Sequence, residues 1–129
     1  MIFTLQDKLV MKDYLSAKLY YDLGTYTGNA SYTADYRING NNFLACITTA
    51  QNALKDYPYT SMREDISILL LRAKYKLGCE SVLEKKEERM REAIDEYYAF
   101  KNEFPESKYM KEVEAIYKDA SKYVKELNE

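Results

Sequence analysis

The chain contains no histidine. The side chain that most often serves as a general base near neutral pH is therefore missing, and acid–base chemistry would fall to a perturbed carboxylate or lysine. Its two cysteines, Cys46 and Cys79, are too few and too far apart for a zinc cluster. No apolar run approaches the roughly 18 to 20 residues that span a bilayer. There is no surplus of cations either: 19 basic against 21 acidic residues give a net charge of −2, which disfavours generic nucleic-acid binding. A Gly-rich phosphate loop, a G-x-S-x-G elbow and an H-E-x-x-H helix are all absent. Residues 1–12 lack the basic n-region and continuous apolar h-region of a signal peptide. Taken literally the chain reads as cytosolic, as would one whose leader had been removed.

What is present is one domain's worth of folded chain. Its 129 residues are 47% hydrophobic and 31% charged, outside the compositional range of disorder. Two stretches carry the same pattern. The first runs Lys18-x-x-Tyr21-x-Leu23-Gly24, then Cys46, Ala50, Ala53 and Tyr57-Pro58-x-Thr60. The second runs Arg72-x-x-Tyr75-x-Leu77-Gly78, then Ala93, Tyr97, Phe100 and Phe104-Pro105-x-Ser107. In both, small or aromatic positions stand 12, 8 and 5 residues before the proline and a hydroxyl stands two after it. Leu-Gly on one helix, small residues on the next and an aromatic-Pro close describe a repeated helix hairpin. Such repeats stack into solenoids that hold other proteins, which points away from catalysis. The expected fold class is all-α: an α-solenoid of two hairpins, about 5–58 and 60–105, plus a capping helix at about 107–127.

Helical spacing predicts five helices. The first covers Leu5 to Tyr26, with Thr4-x-x-Asp7 as its cap. The second covers Asn42 to Asp56, with Asn41 as N-cap and Leu44, Ile47, Leu54 and Tyr57 as its stripe. Pro58 stops it. Thr60 and a Ser61-x-x-Glu64 capping box open the third, which extends to about Val82. Its run Ile66, Ile68, Leu69, Leu70, Leu71, Ala73 marks it as the most buried. The fourth, from Glu84 to Glu103, shows Met90, Ala93, Ile94, Tyr97 and Phe100 on one face. The last, from Ser107 to Leu127, sets Tyr109, Val113, Ile116, Ala120, Val124 and Leu127 against an outward polar side that includes Glu112 and Asp119. Carboxylate neighbours such as Asp95 with Glu96, or Glu112 with Glu114, read as solvated charges.

Ile2, Phe3, Leu5, Leu9 and Val10 invite two readings. Either they pack on a preceding repeat, a partner or a symmetry mate, or they pack on the second helix. Two repeats are fewer than such arrays usually contain, which suggests the C-terminal part of a longer array.

The segment Thr27 to Asn41 is an insertion. Gly24 to Pro58 is 34 residues, against 27 from Gly78 to Pro105. Its Gly, Asn, Ser and Thr predict a loop. Tyr32, Tyr36, Arg37 and Ile38 would form a binding tip there, unless the insertion has no role. The other candidate binding residues are Lys18 with Tyr21 and Arg72 with Tyr75. On the concave face of a hairpin array each pair would present a cation beside a phenol, suited to peptide carboxylates and carbonyls. Packing of both tyrosines between helices, with snorkelling cations, accounts for the same pattern. No catalytic residue, metal or cofactor is expected, and Cys46, in a small-residue slot, reads as a buried structural thiol.

These spacings resemble the tetratricopeptide repeat. The strings KDYLSAKLYYDLG (Lys12 to Gly24), ITTAQNALKDYPYT (Ile47 to Thr60) and IDEYYAFKNEFPES (Ile94 to Ser107) are similar to the C-terminal repeats of BamD-like lipoproteins, in a Bacteroides-like version. That family is the periplasmic repeat component of the outer-membrane β-barrel assembly machine. The resemblance covers nearly all of the chain outside Thr27 to Asn41. It implies a periplasmic, outer-membrane-associated scaffold whose partner is the periplasmic part of the barrel-forming subunit, with membrane contact only through an N-terminal lipid anchor that this chain lacks. Two other readings stand beside it. One is a stand-alone repeat module that grips an extended peptide in its concave groove, and the other is a lipoprotein that stacks glycans on its 14 tyrosines.

Overall fold

A computed structural model of the chain describes residues 4–26 and 36–124, with 36–41 described as backbone alone. Over these residues the fold is all-α, without strands: α1 Leu5–Tyr26, α2 Tyr36–Asp56, α3 Arg63–Cys79, α4 Leu83–Glu103 and α5 Met110–Ser121. The start of α1 follows from its cap. The Thr4 N–H donates to Asp7 Oδ2 and the Asp7 N–H to Thr4 Oγ1, both at 3.0 Å. This reciprocal pair occupies donors that the first helical turn leaves without carbonyls.

Each helix packs on the next in the chain, and α1 also reaches α3. The hairpins share their internal geometry. Phe43 and Met90 each lie 15 residues before a proline, and each fills the space beside the glycine of the preceding helix, Gly24 and Gly78 respectively. The turns match bond for bond. Thr60 N–H donates to Tyr57 O at 3.2 Å and Ser107 N–H to Phe104 O at 3.1 Å. Two residues after each proline the hydroxyl accepts from a backbone N–H: Thr60 from Met62 at 3.1 Å, Ser107 from Tyr109 at 3.0 Å. Such side-chain turns satisfy the donors ahead of a helix and fix the chain's re-entry angle.

The central helix is α3, as its apolar run predicts. Ile66, Leu69, Leu70 and Ala73 pack with α1 and α2 residues, while Ile68 and Leu71 pack with Tyr97, Phe100, Val113 and Ile116 of α4 and α5. A helix apolar on most sides can serve two neighbouring clusters at once. The predicted α4 face is buried throughout, and so are Val113, Ile116, Ala120 and Val124.

Several local expectations are corrected. The segment Thr27 to Asn41 is not a loop to its end, because α2 already begins at Tyr36 and Asn41 lies inside the helix rather than capping it. Both α2 and α4 begin 22 residues before their prolines, so the extra chain of the first hairpin lies between Tyr26 and Tyr36. The buried side of α2 is Phe43, Cys46, Ile47, Ala50 and Ala53, whereas Leu44 faces solvent. Gly24 has no side chain, so the adjacent space accepts a ring, and that sets which side of α2 turns inward. Ser61-x-x-Glu64 forms no capping box. Met62 precedes α3 without a side-chain cap, and Glu64 Oε2 accepts from Ser107 Oγ at 2.6 Å instead. α3 ends at Cys79, closed by Glu80 N–H to Lys76 O and Ser81 N–H to Gly78 O. α5 ends at Ser121 in successive tight turns, and Leu127 lies outside the described residues.

Candidate functional site

Tyr21 and Tyr75 stand three residues before Gly24 and Gly78, which puts them on equivalent faces of α1 and α3. That face and α5 line a groove of about 250 Å³ formed by Tyr21, Arg72, Tyr75, Lys76, Glu112, Ala115 and Ile116. Three of the four paired candidates thus meet in one concavity. Lys18 lies a turn before Tyr21 on α1, exposed and bonded to Asp22 at 2.9 Å. That bond raises the Lys18 ammonium above its ordinary pKa, with the Asp22 charge adding to it and nearby Arg72 opposing.

The groove's polar groups already hold one another. Arg72 donates from Nε and Nη2 to Glu112 at 2.6 and 2.7 Å, a two-pronged pair that fixes the guanidinium plane. The same guanidinium lies 5.3 Å from the Tyr109 ring centre, a favourable cation–π distance. The hydrogen bonds it donates to Glu112 hold Arg72 above its usual pKa despite desolvation. Tyr75 donates its phenol to Asp119, and burial first, then this bond, pushes the phenol above the ordinary tyrosine range. Tyr21 is half-buried and meets Phe43 edge-on at 5.8 Å, and burial raises its phenol as well. Both tyrosines therefore pack between helices and line the groove.

The partners Glu112 and Asp119 are not on a solvated outer side of α5. They lie three residues after Tyr109 and Ile116 respectively, at the border of the apolar stripe, so the helix that buries the stripe carries them against α3. That offset was the signal in the sequence. Glu96 is likewise no solvated charge: Lys74 binds it at 2.9 Å, with less than a fifth of either side chain exposed. Glu114 accepts from Tyr97 at 2.6 Å and pairs with Lys101 at 3.2 Å. Tyr97 and Tyr117 stack at 4.4 Å, so part of the tyrosine content is internal packing.

Of the proposed binding tip, Tyr32 lies outside the described residues. Tyr36, Arg37 and Ile38 form the first turn of α2, and their side chains are not described. At the N-terminal end, Val10 is buried in the first cluster, whereas Leu5 and Leu9 face outward, and Ile2 and Phe3 lie outside the described residues. Among the described residues no group of three or more His, Cys, Asp or Glu is placed to hold a metal ion, and no helix is long and apolar enough to cross a membrane. Cys46 and Cys79 are free thiols. Compared with known proteins, the chain matches no family model and no curated protein.

Proposed function

We propose that this protein is a non-catalytic binding scaffold, a short solenoid of two tetratricopeptide-like hairpins closed by α5. The observation that carries this reading is the repeated contact geometry: glycine against Phe43 or Met90, and the hydroxyl-closed turn after each proline. Repeated hairpins that contact only their neighbours build extended surfaces rather than enclosed reaction chambers. The partner we propose is the periplasmic part of the barrel-forming subunit of an outer-membrane assembly machine, and the support for it is the resemblance to BamD-like repeats alone.

The groove at Tyr21, Arg72 and Tyr75 favours a folded partner surface over a free peptide terminus. Its Arg72 cation is engaged by Glu112 and its Tyr75 phenol by Asp119, so a ligand carboxylate at Arg72 would have to displace an existing bidentate pair, which leaves Lys76 as the groove's other cation. The second reading, an extended peptide in the groove, draws on the concavity itself. The test is retention of the chain on immobilised periplasmic domains of the barrel subunit, alongside titration with carboxylate-ended peptides. Retention supports the assembly reading. Peptide binding that is weakened by Arg72→Ala, with no retention on the domains, replaces it with the second.

A further inference from the structure

The repeat sets α1, α3 and α5 in one register. Gly24 and Gly78 are 54 residues apart, and Pro58 and Pro105 are 47 apart. With these offsets Ile66, Leu69, Leu70, Ala73 and Leu77 of α3 match Val113, Ile116, Tyr117, Ala120 and Val124 of α5. Both stripes cover the hairpin before them. The α3 stripe packs with Cys46, Ile47, Ala50 and Ala53 of α2, and the α5 stripe with Met90, Ile94, Tyr97 and Phe100 of α4. In α1 the same positions are Lys12, Leu15, Ser16, Leu19 and Leu23. Here Leu15 is 54% exposed and Leu19 58%, against 4% for Leu69 and 0% for Ala73. The other side of α1 keeps the register: Tyr14 and Ala17, which match Ile68 and Leu71, pack into the first cluster.

We propose that this stripe of α1 receives the second helix of a further hairpin of the same repeat type, held as α2 holds α3. The occupant follows from the equivalence, because such a helix covers the same positions twice in this chain. A second copy does not supply it. The matching faces of α2 and α4 are already filled by α3 and α5. The departures from the pattern define the occupant's chemistry. Leu19 stands where α3 and α5 carry alanine, so the incoming helix is narrow there, with glycine or alanine opposite. Ser16, in the place of Leu70 and Tyr117, leaves room for a larger apolar side chain. Lys12 stands where Ile66 and Val113 are buried. An ammonium enters such a place only with a partner charge, so the occupant brings a carboxylate to it.

The inference rests on the repeated-hairpin reading above, but its test involves no barrel subunit, so the two fail separately. The probe is a copy of residues 4–58 joined ahead of the full chain. A flexible Gly-Ser linker makes the join, because α1 starts four residues earlier in the repeat than α3 does. Single substitutions Leu15→Cys and Leu19→Cys, in a Cys79→Ser background, report coverage by their rate of thiol labelling. Each should label about tenfold more slowly in the extended chain than in the original. Leu44→Cys in the chain's own α2 should label equally in both. The added α2 copy has no carboxylate on its buried side, so Lys12→Ile with Ser16→Leu should deepen the protection. No slowing in either extended chain, with or without those two substitutions, overturns the proposal. Equal protection with and without them overturns the carboxylate at Lys12. Slowing in the original chain as its concentration is raised assigns the face to a second copy, and overturns the proposal too.

Discussion

Gly24 leaves its space to Phe43: a Cβ added at Gly24 would lie 2.8 Å from Cε1 and 2.9 Å from Cζ of that ring. Phe43 is fully buried, and a ring cannot bend away from an intruding methyl. Gly24→Ala should therefore destabilise by about 1–3 kcal/mol, the usual result of overpacking a filled site. A Cβ added at Gly78 would lie 2.9 Å from Met90 Sδ, but a thioether chain can rotate. Alanine's better helix propensity, worth about 1 kcal/mol over glycine, then offsets most of the strain, and Gly78→Ala should fall within about 1 kcal/mol of the parent. Urea unfolding of the two variants decides this, and equal losses would contradict it.

Truncating the two fillers tests the equivalence from the other side. Phe43→Ala should cost about 3–5 kcal/mol and Met90→Ala about 2–5 kcal/mol, because both side chains are fully buried. Thermal unfolding should show both as large drops, whereas Leu44→Ala, next to Phe43 but exposed, should change little.

That contrast shows which parts of the fold were legible in the sequence. Leu-Gly, the spaced small residues and the aromatic-Pro turn are local signals, and helix number, the central place of α3 and the buried face of α4 followed from them. Phe43 was missed because an α2 stripe through Leu44, Ile47, Leu54 and Tyr57 has helical spacing too. Only the vacancy beside Gly24 chooses between the stripes, and a vacancy is a property of the pair of helices. The equal offsets of Phe43 and Met90 from Pro58 and Pro105 held the answer. The start of α2 was misread for a related reason. Asn39, Gly40 and Asn41 are poor helix formers, but α2 packs along α1 through a long contact, and packing outweighs propensity. At the groove, Arg72 and Tyr75 were found by repetition. Their partners Glu112 and Asp119 have no counterpart in the repeat, so only their offset of three residues from Tyr109 and Ile116 marked them.

The ion pairs should differ by their exposure. Lys74–Glu96 is less than one-fifth exposed on either side, whereas Lys18–Asp22 is about half exposed. A double-mutant cycle should give Lys18–Asp22 a weak coupling that fades with salt. Lys74–Glu96 should couple more strongly and resist salt, since solvent and counterions reach it less. Similar coupling and similar salt dependence for both would show that burial is not the deciding variable.

The two thiols should react in sequence. Cys46 is fully buried between α1 and α2, and burial pushes its thiol up to about 12, so almost no thiolate exists near neutral pH. Cys79 is only partly buried; its pKa is also raised by burial, with an opposing contribution from the Tyr75 hydroxyl. Thiolate is the attacking form, so a thiol reagent on the native chain should modify Cys79 first and Cys46 only through unfolding. Cys79→Ser should leave a protein whose labelling rate follows its unfolding rate as urea is added. Rapid labelling of Cys46 in that variant without denaturant would contradict its place in the core.

Acid should act on stability in two opposed steps. The hydrogen bonds from Arg63 hold the Glu103 carboxyl below its ordinary value of 4.5, and Tyr97 followed by Lys101 does the same for Glu114. Below 4.5 the unfolded chain then binds protons that the folded chain still refuses. The stability these groups contribute is complete above that pH and is lost as pH falls through their folded values. Glu80 works in the opposite sense. Burial raises its pKa, against the lowering pull of Lys76, so the folded chain takes the proton first. Stability therefore rises slightly as pH falls through the folded value of Glu80 toward 4.5, before the loss from Glu103 and Glu114 sets in. Unfolding by urea across this range should trace a shallow maximum followed by a decline. Glu80→Gln should flatten the rise and spare the decline, and Glu103→Gln should lower stability near neutrality while making the decline shallower. A decline unchanged by Glu103→Gln would place the acid sensitivity in other carboxylates and leave the Arg63 bridge without a share in it.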